Sequence, residues 1–187
     1  MAHNNKTVIE KFTTKTGKEV EIIEPTMDWL DEVLLFVNAL AEEDSFLSFH
    51  PGQKINREDE EKWLANQIER RKKGLGFLYW AIYNGKIIGS VDVHRGSSVR
   101  DYHVGLIGLM IDKGFRGEGL GKFLLQFVVD RAQAEGMRLV RLGVFSDNEI
   151  ARNLYKKMGF IEYGVLPEGL YRKGKFSDYI CMFKRVN

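Results

Sequence analysis

Apolar residues recur along this chain with two different periods, and the switches between them mark its elements. Residues 19–23 read as a short first strand. Pro25-Thr26 then opens a helix in which Leu30, Val33, Leu34, Val37 and Ala41 share one face. Residues 42–55 carry Pro51-Gly52 and read as a loop. Asn56 suits the N-cap of a second helix. Its first turns hold Glu58, Asp59, Glu60 and Glu61, and its end holds Arg70, Arg71, Lys72 and Lys73 before Gly74. Acids at the start and bases at the end both favour the helix dipole, so these charges need no functional explanation.

Residues 77–83 and 86–93 are rich in aromatic and β-branched side chains and flank Asn84-Gly85, the pattern of a tight hairpin. Residues 95–101 read as a turn. Residues 104–111 form a nearly unbroken apolar run, as expected of a strand buried on both faces. The helix that follows starts near Gly119. Leu120, Phe123, Leu124, Phe127, Val128 and Ala132 form its stripe, and Gly136 ends it. Residues 139–145 predict another strand. Asp147 or Asn148 caps a further helix, with Ile150, Ala151, Leu154 and Met158 inward and Gly159 as its stop. Residues 160–165 and 178–184 read as two last strands joined by a glycine-containing loop. This order predicts an α/β fold: a mixed sheet with helices on both faces.

Composition narrows the class. The 187 residues fit one domain with one sizeable core. Apolar residues at 44% and charged residues at 29% describe an ordinary globular chain. A net charge of +2 argues against a general nucleic-acid or membrane binder. One cysteine, Cys181, permits no internal disulfide and no cysteine zinc site, and a reducing cytoplasm fits it. The first six residues are polar, unlike a signal peptide, and no apolar run approaches the ~20 residues that span a bilayer. The four histidines lack metal-ligand spacing, so no metal site is expected.

The most informative segment is residues 111–122, Ile-Asp-Lys-Gly-Phe-Arg-Gly-Glu-Gly-Leu-Gly-Lys, which joins a buried strand to a long helix. Glycines here let the backbone approach a ligand and take positive φ. The free N–H groups of the first helical turn then converge, and with the dipole they suit a pyrophosphate. Arg116 and Lys122 add positive charge. A nucleotide P-loop is excluded, because Phe123 follows Gly121-Lys122 where Ser or Thr is needed. A dinucleotide fold places its glycine turn after the first strand, whereas this one is in mid-chain.

Residues 116–121, Arg-Gly-Glu-Gly-Leu-Gly, resemble the acetyl-CoA signature of the GNAT superfamily of N-acetyltransferases, Gln/Arg-x-x-Gly-x-Gly/Ala. Residues 148–160 are similar to that family's Asn-x-x-Ala-x-x-x-Tyr-x-x-x-Gly-Phe segment. The two motifs occur in order on strand–helix–strand–helix. The resemblance implies a mostly antiparallel central sheet, split between two parallel strands by the cofactor cleft. It implies acetyl-CoA as co-substrate and a primary amine as acceptor: a small amine, a polyamine or a protein N-terminus. Leu109, Met110 and Ile111 would hold the pantetheine arm through their backbone, with one N–H polarising the thioester carbonyl. Arg116, Gly117, Glu118, Gly119, Leu120, Gly121 and Lys122 would hold the pyrophosphate, and Asn148 would touch the cofactor arm. Dimers are common among similar proteins, which leaves a homodimer open.

Tyr155 stands where the family often has a tyrosine general acid. A thiolate leaves when an amine displaces CoA, and a phenol can hydrogen-bond to or protonate it. Asn148 and Tyr155 are seven apart and share a helix face. The plainer reading is a core aromatic beside Leu154 and Met158. Many relatives carry a glutamate base on the strand before the signature loop, but Leu106 and Ile107 occupy that region here. Asp92, His94 and His103 are the candidate bases, with a water chain as the alternative. The acceptor would lie between residues 42–49, where Glu42 and Glu43 meet Phe46 and Phe49, and residues 166–177, with Tyr171, Arg172, Lys173 and Lys175. Cys181 reads as a packed, inert thiol. A non-catalytic acyl-CoA-binding module on the same fold is the alternative function, supported by the missing strand glutamate.

Overall fold

The computed structural model describes residues 6–43 and 54–186. The chain order is β1 (Val8–Thr13), β2 (Glu19–Ile23), α1 (Leu30–Glu42), α2 (Arg57–Lys72), β3 (Gly76–Tyr83), β4 (Lys86–Arg95), β5 (Val104–Ile111), α3 (Leu120–Ala134), β6 (Leu139–Phe145), α4 (Glu149–Lys157), β7 (Ile161–Arg172) and β8 (Lys175–Arg185). The strands form one sheet in the order β1-β2-β3-β4-β5-β6-β8-β7. All neighbouring strands are antiparallel except β5 and β6, which run parallel and are linked by α3. The expected mixed, mostly antiparallel sheet with helices on both faces is what forms.

Alternation along the strands builds two cores. In β3, Phe77, Tyr79 and Ala81 face α3 and α4, while Leu78, Trp80 and Ile82 face α1 and α2. A strand with both faces buried therefore loses the polar half of the usual pattern. Leu120, Leu124, Leu125, Val128, Val129 and Ala132 of α3 pack into the first core, and Leu30, Val33, Phe36, Val37 and Leu40 of α1 into the second. The Asn84-Gly85 hairpin takes φ of 48° and 73°, the double positive φ of a tight turn whose twist matches its strands.

Four expectations change. Strand β1 was not foreseen: it is an edge strand whose Glu10 and Lys11 hide its alternation, and only Ile9 and Phe12 reach the core. Residues 166–177 are not a loop. They extend β7 and β8 into a long hairpin that turns at Lys173 (φ 51°) and Gly174 (φ 75°), and a bulge absorbs Pro167-Glu168-Gly169. Ile150 is 87% exposed instead of inward, and Tyr155 takes the buried place on α4. Finally, β5 is not buried on both faces along its length, because Leu109, Met110 and Ile111 are only partly covered. No described helix is long and apolar enough to cross a membrane.

Candidate active site

The site begins where β5 and β6 part. Only Val104–Leu139, Gly105–Val140 and Leu106–Arg141 pair across them among the described residues. Beyond that point β5 stays paired to β4 as far as Ile111, and β6 stays paired to β8 as far as Phe145. Residues 107–111 and 142–145 thus face each other across a gap with no strand partner. Backbone N–H and C=O groups on such edges need partners, so a ligand that carries amides is well matched to them. The cavity in this gap measures about 1030 Å³.

It passes through the sheet. Ile107, Leu109 and Ile111 belong with the core under α3 and α4, as do Leu142 and Val144. Alternation sends Leu106, Gly108 and Gly143 to the opposite face, and Met110 packs with the α1–α2 core. One mouth therefore opens on the side of the glycine turn and α4, and the other on the side of α1 and α2.

The first mouth is lined by Gly117, Gly119, Gly121 and Lys122. Gly117 and Gly119 take φ of 79° and 89°, which only glycine adopts cheaply. Gly119 is the N-cap of α3 and supplies no side-chain cap, whereas Asn56 and Asn148 cap α2 and α4. The N–H groups of the first α3 turn, from Leu120 onward, are therefore left for another acceptor. A Cβ on Gly121 would meet Ile111 Cδ1 at 3.0 Å. The β1–β2 turn braces this loop: Lys15 Nζ donates to the Gly117 carbonyl at 2.9 Å, and Thr16 Oγ1 donates to Glu118 Oε2 at 3.0 Å.

These contacts separate the expected residues. Leu120 is fully buried and Glu118 is tied to Thr16, so what each can offer a ligand is backbone. The Arg116 guanidinium does not stand as a free cation: Nε donates to the Ile111 carbonyl at 3.0 Å and Nη2 to Glu43 Oε2 at 2.6 Å. Lys15, Lys122 and Lys157 supply charge around this mouth instead. Lys15 escaped sequence reasoning because the strand before it did.

Tyr155 lines the cavity and is 9% exposed, its ring 5.9 Å from that of Phe160. Burial pushes its hydroxyl up to about 12, so it stays protonated over any ordinary pH. It is a core aromatic and a cavity residue at once. Asn148 also lines the cavity while its Oδ1 accepts from the Ala151 N–H at 3.2 Å. Capping α4 fixes the side chain beside the gap.

The second mouth holds Asp92, His94, Leu170 and Tyr179. Asp92 and His94 alternate with the core residues Val91 and Val93, which puts both on this face, and their Oδ2 and Nε2 atoms lie 3.1 Å apart. A Cβ on Gly108 would sit 2.5 Å from Asp92 Oδ1, so the missing side chain is the space the carboxylate fills. Likewise Tyr179 lies across Gly143, where a Cβ would be 1.8 Å from its hydroxyl oxygen. Burial pushes the Tyr179 hydroxyl up, with Cys181 adding to it and Arg141 opposing.

Other candidates fall away. His103 is exposed, does not line the cavity, and uses its carbonyl to accept from the N–H groups of Arg138 and Leu139. Glu43 is committed to Arg116, and Glu42 is exposed at the end of α1. Residues 44–49 of the expected acceptor loop lie outside the described residues. Of the hairpin, Leu170 reaches the cavity, Arg172 pairs with Asp147 at 3.1 Å, and Tyr171 is exposed.

Residues 37–160 match the acetyltransferase (GNAT) family, well over half of the chain. The chain belongs to that family. N-alpha-acetyltransferase 30 of Schizosaccharomyces pombe is 35% identical over 91 residues, covering 46% of this chain and 59% of that protein. The chain spans between 42% and 59% of the length of the first curated relatives it matches. Among solved structures, the GNAT-family acetyltransferase from Streptococcus pneumoniae superposes with a TM-score of 0.81 at 30% identity, covering 90% of this chain and 99% of that one. The fold is also that of yncA from Salmonella typhimurium, solved with its cofactor acetyl-CoA, at a TM-score of 0.76 and 16% identity over 90% of this chain and 94% of that one.

The Gly143–Tyr179 contact predicts its own test. Gly143→Ala should destabilise the protein by about 1–3 kcal/mol in urea unfolding, because a methyl group would overlap the phenol. Tyr179→Ala in the same chain should remove most of that cost, giving a coupling well above ~0.5 kcal/mol. Additive effects would show that the two residues do not meet.

Proposed function

We propose that this chain is an N-acetyltransferase that moves the acetyl group of acetyl-CoA to a primary amine, with both substrates bound at once. The observation that carries this reading is the through-sheet gap between β5 and β6, open on one side at the glycine turn and on the other at Asp92, His94 and Tyr179. Two substrates can enter from opposite faces and meet at the vertex. A ternary complex needs that arrangement, and a site for one ligand does not.

In this reading the first-turn N–H groups of α3, with Gly117, Gly119 and Gly121 around them, bind the pyrophosphate. Lys15, Lys122 and Lys157 screen its charge. The free backbone edge of Leu109, Met110 and Ile111 takes the pantetheine amides, and an N–H there polarises the thioester carbonyl. Asn148 closes the other wall. The amine nitrogen attacks the carbonyl carbon, the C–N bond forms, and the C–S bond breaks. A CoA thiolate is much less basic than a phenoxide, as a cysteine near ~8.5 is less basic than a tyrosine near ~10. Burial pushes the Tyr155 hydroxyl higher still, to about 12. Tyr155 therefore acts by donating a hydrogen bond to the leaving sulfur, and net proton transfer from it is uphill. The acceptor is a small amine, a polyamine or a protein N-terminus, and Asp92 on the acceptor side suits a cationic group.

Thiol release from acetyl-CoA across a panel of small amines, polyamines and short peptides tests the whole reading. Amine-dependent release supports it and names the acceptor class. CoA binding without release under any amine would favour the non-catalytic binding module. Gly119→Asp should abolish CoA binding in calorimetry, since a side chain and a negative charge would enter the pyrophosphate position; unchanged affinity would move that position elsewhere. Tyr155→Phe should lower kcat by about 10- to 1,000-fold with CoA affinity retained. Full activity in that variant would leave Tyr155 a core residue alone.

A further inference from the structure

We infer that His94 is the base that takes the proton of the acceptor ammonium, with Asp92 as its positioning residue. The inference rests on the acetyl-transfer reading and supplies its missing step. A primary amine with a lysine-like pKa of ~10.4 arrives protonated at neutral pH and cannot attack until a proton is removed. The strand before the signature loop offers only Leu106 and Ile107 where a carboxylate would be expected.

Strand β4 supplies the replacement from the neighbouring position. Asp92 stands opposite Gly108 and His94 opposite Leu106 in the β4–β5 register. Leu106 is the last β5 residue paired to β6, so both side chains flank the vertex of the gap on its acceptor side. The Asp92 side chain is 14% exposed and fills the space that Gly108 leaves; the His94 side chain is 36% exposed and reaches solvent. Their Oδ2 and Nε2 atoms lie 3.1 Å apart, an ion pair whenever the imidazole carries its second proton. Asp92 faces Nε2, which leaves Nδ1 as the nitrogen turned away from the carboxylate and open to take a proton. The carboxylate at this distance stabilises the imidazolium that forms when Nδ1 takes the proton.

The protons balance. His94 Nδ1 takes one proton from the ammonium, directly or through one water, and releases it to solvent. The neutral amine attacks, the C–N bond forms and the C–S bond breaks. The second nitrogen proton is lost as the amide forms, and the departing thiolate ends as the thiol. The other ionisable groups of the cavity are Tyr179 from β8 on the same side, and Lys15, Arg116, Lys122, Tyr155 and Lys157 on the cofactor side. An imidazole is the side chain among these suited to exchanging a proton near neutral pH.

The experiment is kcat/KM against pH for the full-length protein, with acetyl-CoA and whichever amine gives thiol release. His94→Gln and Asp92→Asn should each lose about 10²- to 10⁴-fold near pH 7, the range of general-base catalysis. The deficit should close as the pH approaches the pKa of the amine itself, because a free amine needs no base. CoA affinity by calorimetry should match that of the wild-type protein. A deficit that is constant across pH would mean a structural role and overturn the assignment. So would a wild-type profile in His94→Gln, or a loss of CoA affinity in step with activity. Wild-type protein that releases no thiol with any amine would instead sink the acetyl-transfer reading, and this inference with it.

Discussion

The parting of β5 and β6 after three paired residues is the constraint from which the rest of this molecule follows. Each strand keeps its outer partner: β4 holds β5 to Ile111, and β8 holds β6 to Phe145. Two half-sheets are thus each held by their own pairing and diverge from a shared vertex. The inner edges they expose would be costly if nothing filled them, because unpaired backbone groups away from water lose about 1–3 kcal/mol each. The gap leaves the inner edges of two adjacent strands open, and the rest of the site is arranged around it.

Support for the gap comes from far along the chain. The β1–β2 turn reaches across to the glycine loop through Lys15 and Thr16, more than a hundred residues away in sequence. Arg116 ties the same loop to the end of α1 through Glu43. Asp112 Oδ1 accepts from the Gly114 N–H at 2.7 Å and sets the one-turn helix that precedes the loop. The glycines give the loop its shape, and these contacts hold that shape before any ligand arrives. Such preorganisation is what an anion site built from backbone needs, because its donors cannot be re-aimed by side-chain rotation.

Missing side chains do as much as present ones. Gly108 makes room for Asp92 and Gly143 for Tyr179, one on each side of the vertex. Both pairs are cross-strand neighbours, so an alanine in either place would displace a polar side chain at the second mouth of the gap. Tyr155 shows the converse: the packing that makes it a core residue also holds its hydroxyl protonated in the gap. A place in the core and a place in the cavity wall, which compete as readings of a sequence, coincide in this residue.

Much of this was legible in the chain. Helical spacing found α1, α3 and α4, Asn56 marked the cap of α2 and Asn148 that of α4, and Asn84-Gly85 marked a hairpin, because these are local effects of a few consecutive residues. The glycine turn and the Asn148–Tyr155 segment pointed to the family for the same reason: each is contiguous. Strand β1 and the extension of β7 and β8 through residues 166–177 were missed, since an exposed edge strand can hide its alternation and a bulge can swallow Pro167-Glu168-Gly169. Only tertiary structure decided that Arg116 and Glu43 neutralise each other, that Lys15 braces the glycine loop, and that Asp92 and His94 meet at the gap while His103 does not. Those outcomes depend on strand register and on where two half-sheets diverge. Register is set by cross-strand packing over the whole sheet, which no short stretch of sequence encodes.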